Sequence, residues 1–467
     1  MGLLGGLSGD RAFGKSFLWV YVAWAAALLA VLAIAVLVSS PASAQTGTSE
    51  LLLPERPDIP TDLVGGFAMS GNGNTVVVSD RNADDNGEDS GSAEVFRFDG
   101  ARWDQLGDTL TGNQAGEFFG DSVEISADGN TIVVGGESVR AFMWTGSSWL
   151  QLGTDVGTDF RFGESSVGIA ADGRTVITGD PLRLGDEGLS SGRVQVFDFD
   201  CSSWVQRGDD FIGVNRSLEP RFPFPTAALL GSGVAISADG DTIAFSAPER
   251  LDIFDFRPAS RLFVFDWDGS QWVQRARIDG FHEGADGVAL SADGNTLAAS
   301  SEGNNDNVSG RTLVYRWDGI QFNEVLRVSP SEGAVFGRGV DLSDDGNTAI
   351  ALGIDVDDFF RAANQGASVF EFDGTEFRRT GIVRQFTDHV AISGDGSVIG
   401  LSGELPVASF FSATARSTMC TVTEQVSDSP EFSFDGDRLT LDWADLPGVE
   451  QLRNSNGWVA NVGIGLR

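Results

Sequence analysis

The chain alternates apolar and polar positions in short runs, and the runs return in the same order. A brief apolar or alternating run ends in Ser or Ala. Asp-Gly or Asn-Gly follows within three residues, and a run led by Thr or Val comes next. The phrase reads "ISADGNTIVV" from Ile125, "ISADGDTIAF" from Ile236 and "LSADGNTLAA" from Leu290. Looser copies start at Met69, Ile169, Leu342 and Ile392. Each predicts a β-hairpin, because Gly takes up positive φ without strain and Asp or Asn suits the neighbouring turn position.

A second hairpin follows in six of the copies. "EVFRFDGARWDQLG" from Glu94 and "LFVFDWDGSQWVQR" from Leu262 are typical. An aromatic residue recurs just past the turn, as Trp103, Trp149, Trp204, Trp272, Phe322 and Phe377. A ring there pairs across the strands. Two hairpins per repeat make four antiparallel strands. Seven repeats, aligned on Gly73, Gly129, Gly173, Gly240, Gly294, Gly346 and Gly396, predict an all-β fold, a seven-bladed propeller of four-stranded blades. The expected organisation is residues 1–44 as a targeting segment, 45–60 as a linker or closing strand, 61–426 as the propeller, and 427–467 as a C-terminal β extension. Either Leu51–Leu53 or the C-terminal strands are expected to close the ring.

The repeats resemble FG-GAP repeats, the units of the integrin α-subunit propeller. The matching residues are Phe119-Gly120, Phe162-Gly163 and Phe336-Gly337, each before a first strand, and Ser246-Ala247-Pro248 in place of the "GAP" element. The resemblance spans residues 60 to 425. It implies an extracellular adhesion-type propeller and calcium-binding loops. "LSADGNTLAAS" also resembles a WD-repeat hairpin, another propeller unit.

At the N-terminus Phe17 to Val38 is uncharged and apolar, preceded by Arg11 and Lys15 and followed by "PASAQ". These are the parts of a secretory signal peptide with cleavage after Ala44; the run is also long enough for a retained helical anchor through residues 17–38. Either way the basic flank places the remainder outside the membrane, secreted or at the cell surface.

Composition narrows the partners. The net charge is −36, and Lys15 is the single lysine. Such a surface repels nucleic acid and anionic lipid. Two cysteines, Cys201 and Cys420, and two histidines, His282 and His389, exclude a disulfide-rich scaffold and a Cys/His zinc cluster. On opposite blades the two cysteines are expected to stay unbridged.

The turns on one propeller face are short, whereas the connections on the other are long and variable. Binding is expected on that variable face. Phe222 and Phe224 (beside Arg221), Phe254, Phe256 and Arg257, and Phe359, Phe360 and Arg361 are the candidate partner contacts, since aromatics and Arg dominate interface hot spots. The spacing Asn82-x-Asp84-x-Asn86-Gly87-x-Asp89 makes a candidate calcium loop, with oxygen ligands alternating around a hard cation.

No nucleophile elbow or Gly-rich phosphate loop stands out. A sialidase-type site needs a Tyr nucleophile, and beyond the N-terminal segment only Tyr315 remains, inside an expected strand. The expectation is a non-enzymatic module that binds a protein or glycan. The alternatives are a carbohydrate-active propeller enzyme with paired carboxylates, and a purely structural surface protein.

Overall fold

The structure is a computed structural model. It describes residues 56–59, 61, 65–158, 160, 164–185, 190–213, 229–249, 259–282, 285–301, 310–328, 336–353, 366–384, 389–402, 409–412, 432–435 and 438–441. The leader at 1–44, Leu51–Leu53 and Cys420 lie outside them.

Phe67–Met69 (β1), Thr75–Asp80 (β2), Ser92–Phe98 (β3) and Trp103–Gln105 (β4) form the first blade in that order, with Leu110–Thr111 (β5) also on β3. Val123–Ile125 (β6), Thr131–Val134 (β7), Ser138–Trp144 (β8) and Trp149–Gln151 (β9) form the second, with Gly157–Thr158 (β10) on β8. Ser166–Ile169 (β11), Thr175–Asp180 (β12), Arg193–Phe199 (β13) and Trp204–Gln206 (β14) form the third, with Phe211–Ile212 (β15) on β13. The fourth blade is Val234–Ile236 (β16), Thr242–Glu249 (β17), Ala259–Trp267 (β18) and Trp272–His282 (β19). The fifth is Ala285–Leu290 (β20), Thr296–Ser301 (β21), Arg311–Trp317 (β22) and Phe322–Val328 (β23). The sixth is Phe336–Leu342 (β24), Thr348–Gly353 (β25), Gly366–Phe372 (β26) and Phe377–Arg384 (β27). His389–Ile392 (β28), Val398–Ser402 (β29) and Ser409–Ser412 (β30) make a sheet of three.

The expected seven blades of four strands are therefore corrected. The propeller has six four-stranded antiparallel blades, and the last sheet stops at three strands among the described residues. The reason is legible afterwards: "VASFFSATARSTMC" lacks the Asp-Gly turn and following aromatic that close the outer hairpin elsewhere. The expected N-terminal helix falls on residues outside the described ones, and no described residue is helical.

Local chemistry explains the repeat. The second strand of each blade is covered on both sides by neighbours, so small and apolar residues fill it; Thr131–Val134 and Thr296–Ser301 are buried throughout. In the hairpin before it, the Ser126 hydroxyl donates to Asp128 (2.7 Å) and accepts from the Thr131 N–H (3.0 Å), while Asp128 also accepts the Asn130 N–H (2.9 Å). Gly129 sits at φ 71°. The outer hairpins hold the expected ring pairs, from Phe199–Trp204 at 5.1 Å to Trp144–Trp149 at 5.4 Å.

The hairpins are also tied to each other. The N–H groups of Gly71, Ala127, Ala171, Ala238, Ala292, Asp344 and Gly394 each donate to the carbonyl of the next residue in that series, and Gly394 returns to Gly71 at 2.8 Å. This closed circuit places β28 between β24 and β1. Ile59 fills the same junction, packed with Phe67, Val76, Phe96 and Trp103 on one side and Ala391 and Val398 on the other. Apolar contacts hold that junction, as they hold the interface of the first and second blades.

Residues 416–467 form a separate compact unit, whose described part is the hairpin Phe432–Asp435 (β31) and Arg438–Leu441 (β32).

Candidate functional site

The innermost strands β1, β6, β11, β16, β20, β24 and β28 surround a cavity of about 230 Å³. The next-to-last residue of each of these strands lines it. Five of these positions are small: Ala68, Gly168, Ala235, Ala289 and Ala391. The other two are Glu124 and Asp341.

Both carboxyls are held toward the protonated form. Burial pushes Glu124 up to about 8, helped by the charge of Asp341 and opposed by the Ile125 N–H. Burial likewise pushes Asp341 up to about 7, against hydrogen bonds from Ile392 and Leu342 and with a further push from Asp344. Asp341 accepts the Leu342 N–H and, across the blade junction, the Ile392 N–H, both at 2.8 Å. Asp344, exposed at the mouth, stands where the other hairpins carry Ala or Gly; partial desolvation raises it, as do the nearby charges of Asp345 and Asp395. Among the described lining residues no Lys, Arg or His offsets these three acids. The channel thus sets two carboxyls, both disfavoured in their charged form, among mostly uncharged side chains.

The other aspartates of the repeats are turn acceptors. Asp268 takes the Gln271 N–H (2.9 Å), the Ser270 hydroxyl and the Ser270 N–H (each 2.8 Å), and these bonds hold its carboxyl down at about 2. Arginines grip these turns from the preceding blade. Arg316 donates to the Gly346 carbonyl (2.9 Å) and Asn347 (2.6 Å) and lies 3.9 Å over the Phe372 ring.

No family model matches the chain, and no curated protein matches it. Among solved structures it is similar to one titled "Crystal Structure of Mitotic Checkpoint Complex", at 14% identity over 78% of this chain and 95% of that chain, with a TM-score of 0.49. A likeness at that level carries no argument, so the propeller assignment stands on the sheets, registers and closed hydrogen-bond circuit above. Membership of the FG-GAP class is not shown by any of these comparisons.

The candidate calcium loop is folded around its own bonds. The Asn86 side-chain amide donates to Thr111 (2.8 Å) and to the Gly112 carbonyl (2.7 Å). Asp84 accepts the Asp89 N–H at 2.9 Å, and Asp89 has φ 54°. Asn82 and Asp84 are exposed. No group of three or more His, Cys, Asp or Glu among the described residues is arranged to hold a metal ion. The partner candidates Phe222, Phe224, Phe254, Phe256, Arg257, Phe359, Phe360 and Arg361 all lie outside the described residues. Tyr315 is buried in β22, and burial pushes its hydroxyl up to about 12. Cys201 is an exposed free thiol.

Sequence reasoning missed Glu124 and Asp341. Their signal was present: two acids occupy the residue before the Ile-Ser or Leu-Ser of the hairpin, where five copies have Ala or Gly.

Proposed function

We propose that this chain is an exported, non-enzymatic binding propeller of FG-GAP type that recognises a protein or glycan through its long-loop face. The observation that supports it is an asymmetry of connections. First-to-second-strand turns are five residues long in all seven sheets from β1 to β30. Second-to-third-strand connections run from three residues in the second blade to twelve in the third and sixth. A uniform, hydrogen-bonded face with a variable opposite face is the division of labour expected of a recognition scaffold.

The test uses the chain from residue 45 onward on glycan arrays and against extracellular protein panels. Residues 250–258 and 354–365 are each replaced by the short connection of the second blade. Binding lost on shortening supports the reading; binding unchanged by both replacements refutes it.

The channel acids favour one second reading, a carbohydrate-active enzyme in which protonated Glu124 acts as general acid beside Asp341. The lining argues against it, because it offers a sugar one aromatic ring, Phe67, and no arginine among the described residues. Hydrolysis of chromogenic glycosides by the wild type, lost in Glu124→Gln, would establish this alternative.

A further inference from the structure

The inner strand of each sheet packs on the second strand of the sheet before it. In six sheets the inner strand carries Val just before its channel-lining residue. The second strand meets it with Val, Ile or Ala, two residues past its own start. Val123 thus packs with Val77, Val340 with Ala298 and Val390 with Ile350.

The junction that closes the ring departs from this pattern on both sides. On β1, Phe67 stands in place of Val, and Met69 in place of the Ile or Leu found two residues on. On β29 the facing residue is Gly400. A β-carbon placed on Gly400 would lie 2.5 Å from Cζ of Phe67 and 2.7 Å from Cε of Met69, both buried side chains. Gly400 sits mid-strand, paired with Ala391 and Phe410, and its φ is not positive. The backbone does not call for glycine here; the close approach of the Phe67 ring does.

We propose that Phe67 and Gly400 form a latch that selects where the ring closes: β1 docks on the three-stranded sheet and is refused by the sixth blade. Leaving that sheet out of the ring would bring β1 against β25. There Ile350 holds the place of Gly400 and is fully buried against Val390. Phe67 has no room on Ile350, and overpacking of this kind lowers the population of the wrong closure about 5- to 150-fold. A Val on β1 would fit Ile350 as Val390 does, and this discrimination would be gone. Large against small at one junction, and medium against medium at the others, penalises the wrong partner as well as favouring the right one.

The latch is independent of the proposed partner. Thermal midpoints of the full chain are measured for the wild type, Gly400→Val, Phe67→Val and the double variant. Gly400→Val is expected to lower the midpoint by about 4 °C or more. Adding Phe67→Val reproduces the Val–Val contact of the first two blades and is expected to recover at least about half of that loss. A double variant no more stable than Gly400→Val overturns the pairing. Selection is read by mass-resolved amide exchange after refolding from denaturant. The double variant is expected to show a separate, freely exchanging population over residues 390–402, about tenfold larger than in the wild type, with residues 234–247 protected alike in both. A single population matching that of the wild type makes the pair ordinary packing and overturns the latch.

Discussion

Arg56 donates a 2.6 Å hydrogen bond to the Gly73 carbonyl, from a segment that precedes the first strand of the propeller. Its guanidinium lies 4.5 Å over Phe98 and 5.8 Å from the Trp103 ring. Arg207, at the end of the third blade, makes the same contacts on the fourth: a hydrogen bond to the Gly240 carbonyl and rings Trp267 and Trp272 beneath. Arg56 thus serves the first blade as an outer strand's arginine serves its successor. The segment before β1 supplies at the junction a contact that an outer strand supplies between the third and fourth blades.

Arg56→Ala is therefore expected to weaken the closure. It removes a hydrogen bond to a backbone carbonyl and a cation–π contact, together worth about 1–3 kcal/mol. Burial lowers the pKa of Arg56, with Asp395 opposing, which marks a partly desolvated site. Denaturant unfolding of Arg56→Ala and of Arg102→Ala, whose side chain is largely exposed, provides the comparison. Equal midpoints for the two variants would remove Arg56 from the closure.

Cys201 takes the place of glycine in the outer turn of the third blade. It sits at φ 75°, where Gly100, Gly146, Gly269, Gly319 and Gly374 have φ between 95° and 102°. A side chain in this region costs about 1–2 kcal/mol, partly offset by the greater freedom glycine has when unfolded. Cys201→Gly is expected to raise stability by about 0.5–1 kcal/mol, read by equilibrium unfolding under reducing conditions. The converse Gly269→Cys is expected to lower it by a similar amount.

How much of this was legible in the residues divides by distance. The hairpin phrase carries its own explanation, since Ser126, Asp128, Asn130 and Thr131 bond among themselves within six residues. The ring pairs at Trp103 through Phe377 are equally local. The short strands β5, β10 and β15 were not visible, because two residues leave no periodic trace. Glu124 and Asp341 lay out of reach for another reason. A polar residue alternating with apolar ones along a strand reads as facing water, and only closing the ring turns that face into a narrow channel. That the last sheet has three strands among the described residues was signalled by an absent Asp-Gly turn, yet a repeat count gives an incomplete copy the weight of a complete one.

Acid is expected to act on the outer turns. Asp200, Asp268 and Asp373 are held at about 2, by the Ser202 hydroxyl first for Asp200, the Gln271 N–H first for Asp268 and the Thr375 hydroxyl first for Asp373. Their depressed values stabilise the fold above the unfolded carboxyl range, and that contribution is lost as pH falls from about 4 toward 2. Carboxyl titration by NMR is expected to show these three still ionised at about pH 3. Titration of all three near their ordinary value of about 4 would mean that the turns do not hold these bonds in solution.

Arg140 and Glu117 form the most enclosed ion pair among the described residues, at 2.5 Å with side chains 5% and 6% exposed. Arg140 also lies 4.1 Å over Phe119, so one cation joins a loop carboxylate to the apolar junction of the first two blades. Burial lowers the arginine's pKa, with Glu117 and Asp155 opposing. Removing one partner strands the other charge away from water, and Glu117→Ala is expected to cost about 3–5 kcal/mol. Replacing both with apolar residues of similar volume, Glu117→Leu with Arg140→Met, strands no charge, leaves only the Asn113 N–H without its acceptor, and is expected to cost far less than the single change. Equilibrium unfolding of the two variants decides between a pair that drives stability and one that merely satisfies itself. A double variant as unstable as Glu117→Ala would show that the pair adds net stability here.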